Sequence, residues 1–215
     1  MATVLWQDVQ TGALDRCRLD VGPDGLRLSG VVLTPAHGTP PEHLSSIDVA
    51  SMSAEAWAGP AHARRAYPTG VLDVRYLVEA DRDGLTRRVE LELDGGATRR
   101  VLLADGAGRW AWEGGPELTG VAGSLDVDLT VSPATNTLPI RRLAALEVGQ
   151  AADLHMAWVQ FPDLEVLPSA QRYERLAVDR WRFATGEFQA DLLVDPEGLV
   201  LDYGGLFRSL AYRSD

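Results

Sequence analysis

The sequence predicts a mainly β domain, an antiparallel meander closing into a sandwich, roll or barrel and carrying a short helix. Three observations point there. Apolar and polar residues alternate with period two in segment after segment. Asp-Gly and Gly-rich turns separate those segments at short, regular intervals. After one such strand, the stretch from about Thr135 to Leu146 changes to helical spacing.

Taken in order, the first octet, Met1-Ala-Thr-Val-Leu-Trp-Gln-Asp8, lacks the positive start and long apolar core of a signal peptide. Arg16 to Thr34 reads as a hairpin turning at Gly22-Pro-Asp-Gly25, where glycine supplies positive φ. Pro35 to Pro68 changes character, with Pro35, Pro40, Pro41, Pro60, Pro68 and three of the four histidines. It reads as a variable Pro/Ala-rich insertion and a candidate lid, with Ser45 to Ala58 as a short Ala-rich helix. Loops this long are usually functional or disordered.

Strands resume at Gly70 to Glu79, which pairs with Leu85 to Leu93 across Asp81-Arg-Asp-Gly84. That strand pairs in turn with Thr98 to Ala104 across Asp94-Gly-Gly96, and Asp105 to Gly108 turns into Arg109 to Glu113. Leu125 to Val131 alternates as a strand. Ser132 to Thr137 then makes the exit turn, with Thr135, Asn136 or Thr137 as cap and Pro139 in the first helical turn. His155 to Phe161 is apolar enough to be buried on both faces, and Pro162 and Pro168 mark breaks. Arg172 to Val178 pairs with Arg180 to Ala184, although Ala170 to Leu176 also suits a helical turn. Phe188 to Val194 pairs with Leu199 to Tyr203 across Asp195-Pro-Glu-Gly198, and the apolar tail Leu206 to Tyr212 docks. No break in composition divides the chain, so residues 1–215 read as a single domain.

Composition excludes several functions. A net charge of -11 over 215 residues argues against nucleic acid and anionic membrane surfaces, which need a basic footprint. All 20 basic residues are arginine. The lone cysteine, Cys17, leaves no intrachain disulfide and fits a reducing compartment, so the expected address is the cytoplasm. No apolar run approaches the roughly 18 residues a transmembrane helix requires.

Polar groups concentrate between Leu125 and Leu143. Period two puts Asp126, Asp128 and Thr130 on one strand face, with Leu125, Val127, Leu129 and Val131 on the other. Same-face carboxylates sit roughly 7 Å apart, so each needs a donor, a cation or water. Arg141 and Arg142 lie just downstream. Four readings follow: an ion-pair network at the strand-to-helix junction, a polar-headgroup or sugar site, a catalytic pair, or a metal site. Spacing weakens the last two. Catalytic carboxylates flank a bond from opposite sides of a cleft, and two aspartates supply too few ligands for a divalent metal.

Other candidates are fewer. The six tryptophans suit the core or a stacked ligand, and Trp110 and Trp112 share a strand face as the best pair for a pocket wall. The histidines show no metal-ligand spacing, and Cys17 has no evident partner for nucleophilic work. P-loop, GxGxxG and GxSxG motifs are absent, so no cofactor is expected.

Asp126-Val-Asp-Leu129 with Pro133-Ala-Thr-Asn-Thr-Leu-Pro-Ile-Arg-Arg-Leu143 resembles the bacterial glycolipid-binding family, whose fold is described as a spiral β-roll. Supporting matches are Trp6, Cys17, Gly30, Arg75-Tyr76, Gly108-Arg-Trp110, Gln171-Arg-Tyr173, Asp195-Pro-Glu-Gly-Leu-Val200 and Asp202-Tyr203. The resemblance spans the chain except about 35–68. Leu85 and Ala134 stand where the family has rings. The resemblance implies a highly twisted antiparallel sheet wrapped around a short central helix, and a homodimer. It also implies a non-enzymatic binding protein for a glycolipid or other amphipathic molecule. Its polar part would rest on Asp126, Asp128, Asn136, Arg141 and Arg142, with tryptophans such as Trp110 and Trp112 along the apolar part. The rivals are a hydrolase or transferase using Asp126 or Asp128, and a structural module in which Arg141→Ala would unfold the protein.

Overall fold

The computed structural model describes residues 1–34 and 72–214. The expected insertion at 35–68, its Ala-rich helix, Trp57, His37, His43 and His62 lie outside the described residues. The rest forms one fourteen-stranded sheet. In chain order the strands are β1 (Ala2–Asp8), β2 (Leu14–Gly22), β3 (Gly25–Thr34), β4 (Leu72–Asp81), β5 (Thr86–Leu93), β6 (Thr98–Ala104) and β7 (Trp110–Trp112). There follow β8 (Asp126–Leu129), a short helix α1 (Thr137–Arg142), β9 (Ala151–Gln160), β10 (Glu165–Arg175), β11 (Arg180–Thr185), β12 (Phe188–Val194), β13 (Val200–Tyr203) and β14 (Phe207–Ser214).

The expected hairpins form in sequence order. Their turns use the residues that marked them: Gly25, at φ +139°, closes β2 onto β3, and a Cβ there would lie 2.0 Å from the Ala80 carbonyl oxygen. Asp81 and Asp195 each accept two backbone N–H groups across their own turns. The N-terminal strand β1 pairs with β2 on one side and with β14 on the other. It therefore joins two meanders, β2 to β7 and β9 to β14, and the buried Trp6 indole donates to the Val200 carbonyl at 2.9 Å across that join.

The sheet rolls but does not close into a barrel, since β7 and β8 occupy opposite edges of it. Those strands are consecutive in sequence, so the chain crosses from one edge to the other between them. Just before β8, the Ser124 carbonyl accepts from the Trp110 indole at 2.8 Å and the Leu125 carbonyl accepts from the Thr86 N–H at 3.2 Å. Further on, β8 pairs with β9. That pairing is parallel, the exception in an otherwise antiparallel sheet, because the chain between them makes a crossover through α1.

The helix is shorter than the spacing predicts. Pro133–Asn136 forms a 3-10 turn, α1 covers only Thr137–Arg142, and tight turns take the chain on to Leu146. Two of the expected caps are engaged elsewhere, since Thr135 Oγ1 accepts the Leu129 N–H and the Asn136 amide donates to the Pro133 carbonyl, and the buried Thr137 hydroxyl has no hydrogen-bond partner among the described residues. Ser132 caps instead, accepting the Ala134 N–H at 3.1 Å. Every residue from Val131 to Ile140 is buried, so this segment is the centre about which the sheet is wrapped. Among the described residues no helix is long and apolar enough to cross a membrane.

Candidate functional site

The two aspartates of β8 share a face, as period two requires, but reach different partners. Asp126 is fully buried and receives Arg142 Nη1 at 2.5 and 2.6 Å. Arg142 stands in the last turn of α1, where a cation also opposes the helix dipole. Burial pushes the Asp126 carboxyl up, and the guanidinium pulls it back down. Asp128 has only neutral donors: Thr135 Oγ1 at 3.1 Å and Gln171 Nε2 at 2.7 Å. Burial raises its carboxyl too, with those two hydrogen bonds opposing the rise.

The Asp128 partners form a chain of hydrogen bonds. Gln171 and Tyr173 share a face of β10, and the Tyr173 hydroxyl sits against Asn136 Oδ1 at 2.8 Å and Gln171 Oε1 at 3.2 Å. This ties the turn before α1 to the sheet. A hydroxyl has one proton, so the two acceptors share it.

Beside the network lies an open cavity of about 160 Å³, where Asp128, Asn136, Ser132 and Gln171 meet a wall of rings. Neighbouring strands supply those rings in register: Phe183 on β11 backs onto the buried Tyr173 of β10, which lies behind the wall, and Tyr203 on β13 faces Phe207 on β14. Phe188 at the start of β12 completes the row, and centroids lie 5.4 to 6.5 Å apart in tilted or edge-on contacts. Trp158, the register partner of Asp128 on β9, also lines the cavity. The volume is well below the roughly 300 Å³ at which pockets begin to engulf drug-sized ligands, so it suits one group of a larger molecule.

A second, wider cavity of about 590 Å³ opens near the other end of α1. Its wall carries charge of both signs, held in ion pairs or in hydrogen bonds to neutral groups. Arg141 binds Glu197 at 2.5 Å, Arg142 binds Asp126, and Arg175 donates to the Ala144 and Leu146 carbonyls at 2.7 Å. Its one ring, Trp181, is buried with the Arg175 guanidinium 5.8 Å away.

Behind Ser132 sits a buried polar cluster. Ser132 Oγ donates to Asp15 Oδ2 at 2.5 Å, and the Tyr76 hydroxyl reaches Asp15 at 3.2 Å and Ser132 at 3.1 Å. Burial raises the Asp15 carboxyl to about 7 against those donors. The Cys17 thiol alongside is raised by burial and then by the Asp15 charge. Gly30 is required here, since a Cβ would lie 2.3 Å from the Tyr76 ring.

The sequence profile of the family described as "Putative glycolipid-binding" matches residues 46–209, more than half of the chain. The chain belongs to that family. A DUF1089 family protein from Pseudomonas aeruginosa, known from a crystal structure, is 30% identical, superposes with a TM-score of 0.69 and is covered over 92% of both chains. A search of curated proteins found no match.

The glycolipid-binding family profile thus starts inside the 35–68 segment that the residue resemblance left out, and it ends after Phe207. It takes in Asp126 to Arg142, Gln171, Tyr173 and the ring wall, but not Asp15 or Cys17. Of the residues singled out from sequence, the structure brings Asp128 and Asn136 to the ring-walled cavity. Asp126 is covered by Arg142, while Arg141 and Arg142 line the wider cavity. Trp110 is buried, with its indole N–H on Ser124, and Trp112 lies under the Arg100 guanidinium at 4.6 Å; neither lines a described cavity. Sequence reasoning assigned no site role to Gln171, Tyr173, Ser132, Phe183, Phe188, Tyr203, Phe207 or Asp15. The period-two pair Gln171 and Tyr173 was the available signal.

Proposed function

We propose that this chain binds an amphipathic small molecule and does not turn it over. The cavity that joins Asp128, Asn136, Gln171 and Ser132 to five aromatic side chains carries the reading. Polar groups on one side and ring surface on the other are what a molecule with a polar head and an apolar body requires. The family description supports a glycolipid as the ligand class. The resemblance noted from sequence supports a homodimer, and the lone cysteine fits a reducing compartment such as the cytoplasm.

Native mass spectrometry of protein purified from cells tests the proposal, and a co-purifying lipid is the expected result. Protein that arrives ligand-free and gains no thermal stability from glycolipids overturns it, since a ligand bound only by the native state must raise the melting temperature.

One observation favours a second reading. Asp128 borders a cavity with its carboxyl raised by burial, as in a general acid of a hydrolase or transferase. Asp126, held by Arg142, is not free to act. If Asp128 is such an acid, Asp128→Asn abolishes turnover of any substrate found while leaving the fold intact.

A further inference from the structure

We infer that the ring-walled cavity takes a positively charged ammonium group, so that the ligand is an amine-bearing amphiphile. This rests on the binding reading above and names the chemistry of the group held. A glycolipid meets the requirement when its sugar carries a free amine.

The argument starts from charge. Among the described residues lining the cavity, Asp128 is the only aspartate or glutamate, and no arginine or histidine joins it. Asp126 shows what a matched carboxylate looks like in this fold, with a guanidinium at 2.5 Å. Asp128 has an alcohol and an amide in that place. Burial raises the Asp128 carboxyl, and a cation entering the cavity would favour its ionised form and meet no competing positive side chain among the described lining residues.

Hydrogen-bonding capacity points the same way. The Gln171 amide spends its protons on Asp128 and on Ser169 Oγ at 3.3 Å. The Ser132 hydroxyl donates to Asp15, Thr130 to the Val159 carbonyl and Thr185 to the Ala170 carbonyl. The Asn136 amide gives one proton to Pro133. Asp128 keeps open acceptor capacity, because an ionised carboxylate has roughly four lone-pair sites and two are used, beside the second Asn136 amide proton and the Ser169 and Tyr203 hydroxyls. A ligand that donates to Asp128 fills that capacity. An anionic head meets a like charge there.

The rings add a second attraction for a cation. Trp158, Phe183, Phe188, Tyr203 and Phe207 all line the cavity. Aromatic faces attract cations through the ring quadrupole, and rings combined with a carboxylate recognise ammonium groups. A cavity of about 160 Å³ also fits a compact head better than an extended chain.

Isothermal titration with three probes of equal chain length tests this: hexylammonium, hexyl β-glucoside and hexyl sulfate. The ammonium should bind at least about tenfold tighter than either other probe. Asp128→Asn should erase that preference, costing the ammonium at least about tenfold more affinity than the glucoside. Phe188→Leu, at the partly exposed end of the ring row, should weaken the ammonium more than the glucoside, and it carries the test if Asp128→Asn does not fold. Glucoside binding as tight as ammonium, or an ammonium preference that survives Asp128→Asn, overturns the cation inference and leaves the binding reading standing. Loss of both probes in equal measure in Phe188→Leu also overturns the cation inference. If none of the three binds, both fail.

Discussion

Asp126 and Asp128 stand two positions apart on one face of one strand, yet their surroundings are opposite. Asp126 looks toward the C-terminal turn of α1 and meets Arg142. Asp128 looks toward the turn that precedes α1 and toward β10, and meets Thr135 and Gln171. The difference arises because α1 crosses over the strand, so its start and its end stand above different residues of the same row. The cavities follow suit. The one at the end of α1 is wide and holds both arginines of α1 in ion pairs, while the one at the start is small, ring-walled and has an unmatched carboxylate. Equivalent positions in a pattern thus become a structural ion pair and a site candidate.

Removing the cation should break that contrast with the largest effect. Arg142→Ala leaves Asp126 fully buried without a counter-charge, a change that typically costs about 3–5 kcal/mol. Urea unfolding should show the loss as a lower midpoint at unchanged slope. Adding Asp126→Asn should recover part of it. An Arg142→Ala protein as stable as the parent would mean that the Asp126 pairing contributes nothing.

Asp15 extends the comparison to a buried carboxyl held by hydroxyls alone. Its carboxyl is raised from the ordinary aspartate value of about 4 to about 7, so between those values the native state holds a proton the unfolded chain has lost. Stability from this group is therefore full below about pH 4 and falls as pH rises to about 7, by up to about 4 kcal/mol. The measurement is the difference in melting temperature between the parent and Asp15→Asn across pH 4 to 8. That difference should change in the parent's disfavour as pH rises, and a flat difference would sink the assignment.

Tyr173→Phe sharpens the Asp128 side. It removes the donor shared by Asn136 and Gln171 in a buried setting, which should cost about 1–3 kcal/mol. Thermal melts at pH 7 would register it. No change would mean that the two amides find other partners.

Much of the fold was legible because its signals are local. Period-two alternation and Asp-Gly turns are set by residues that neighbour each other in sequence, and the hairpins formed where those signals stood. β1 went unread, since it was judged only as a leader and its partners, β2 and β14, lie far apart along the chain. The parallel β8–β9 pair and the 3-10 start of α1 also depend on contacts at a distance. Asp128 and Asn136 were legible as site residues from their density in one stretch. Gln171, Phe183, Tyr203 and Phe207 were not, because each is an ordinary strand residue until five strands bring the rings into one row. Asp15 carried no signal, since its partners Tyr76 and Ser132 are far away in sequence.

The smallest expected effect separates the two adjacent arginines. From sequence they are equivalent, and a purely structural reading expects Arg141→Ala to unfold the protein. The structure moves that expectation to Arg142. Arg141 binds Glu197, whose side chain is 50% exposed, and donates also to the Glu197 carbonyl at 2.8 Å. Water screens such a pair and can replace either partner, so Arg141→Ala should cost no more than about 1 kcal/mol. Chemical denaturation at low and high salt checks this. The loss should be small and should shrink further as salt rises, whereas the Arg142→Ala loss should be nearly insensitive to salt because Asp126 is shielded from it. Equal losses for the two variants would show that α1 is held to the roll by both arginines alike, and that burial at Asp126 does not set them apart.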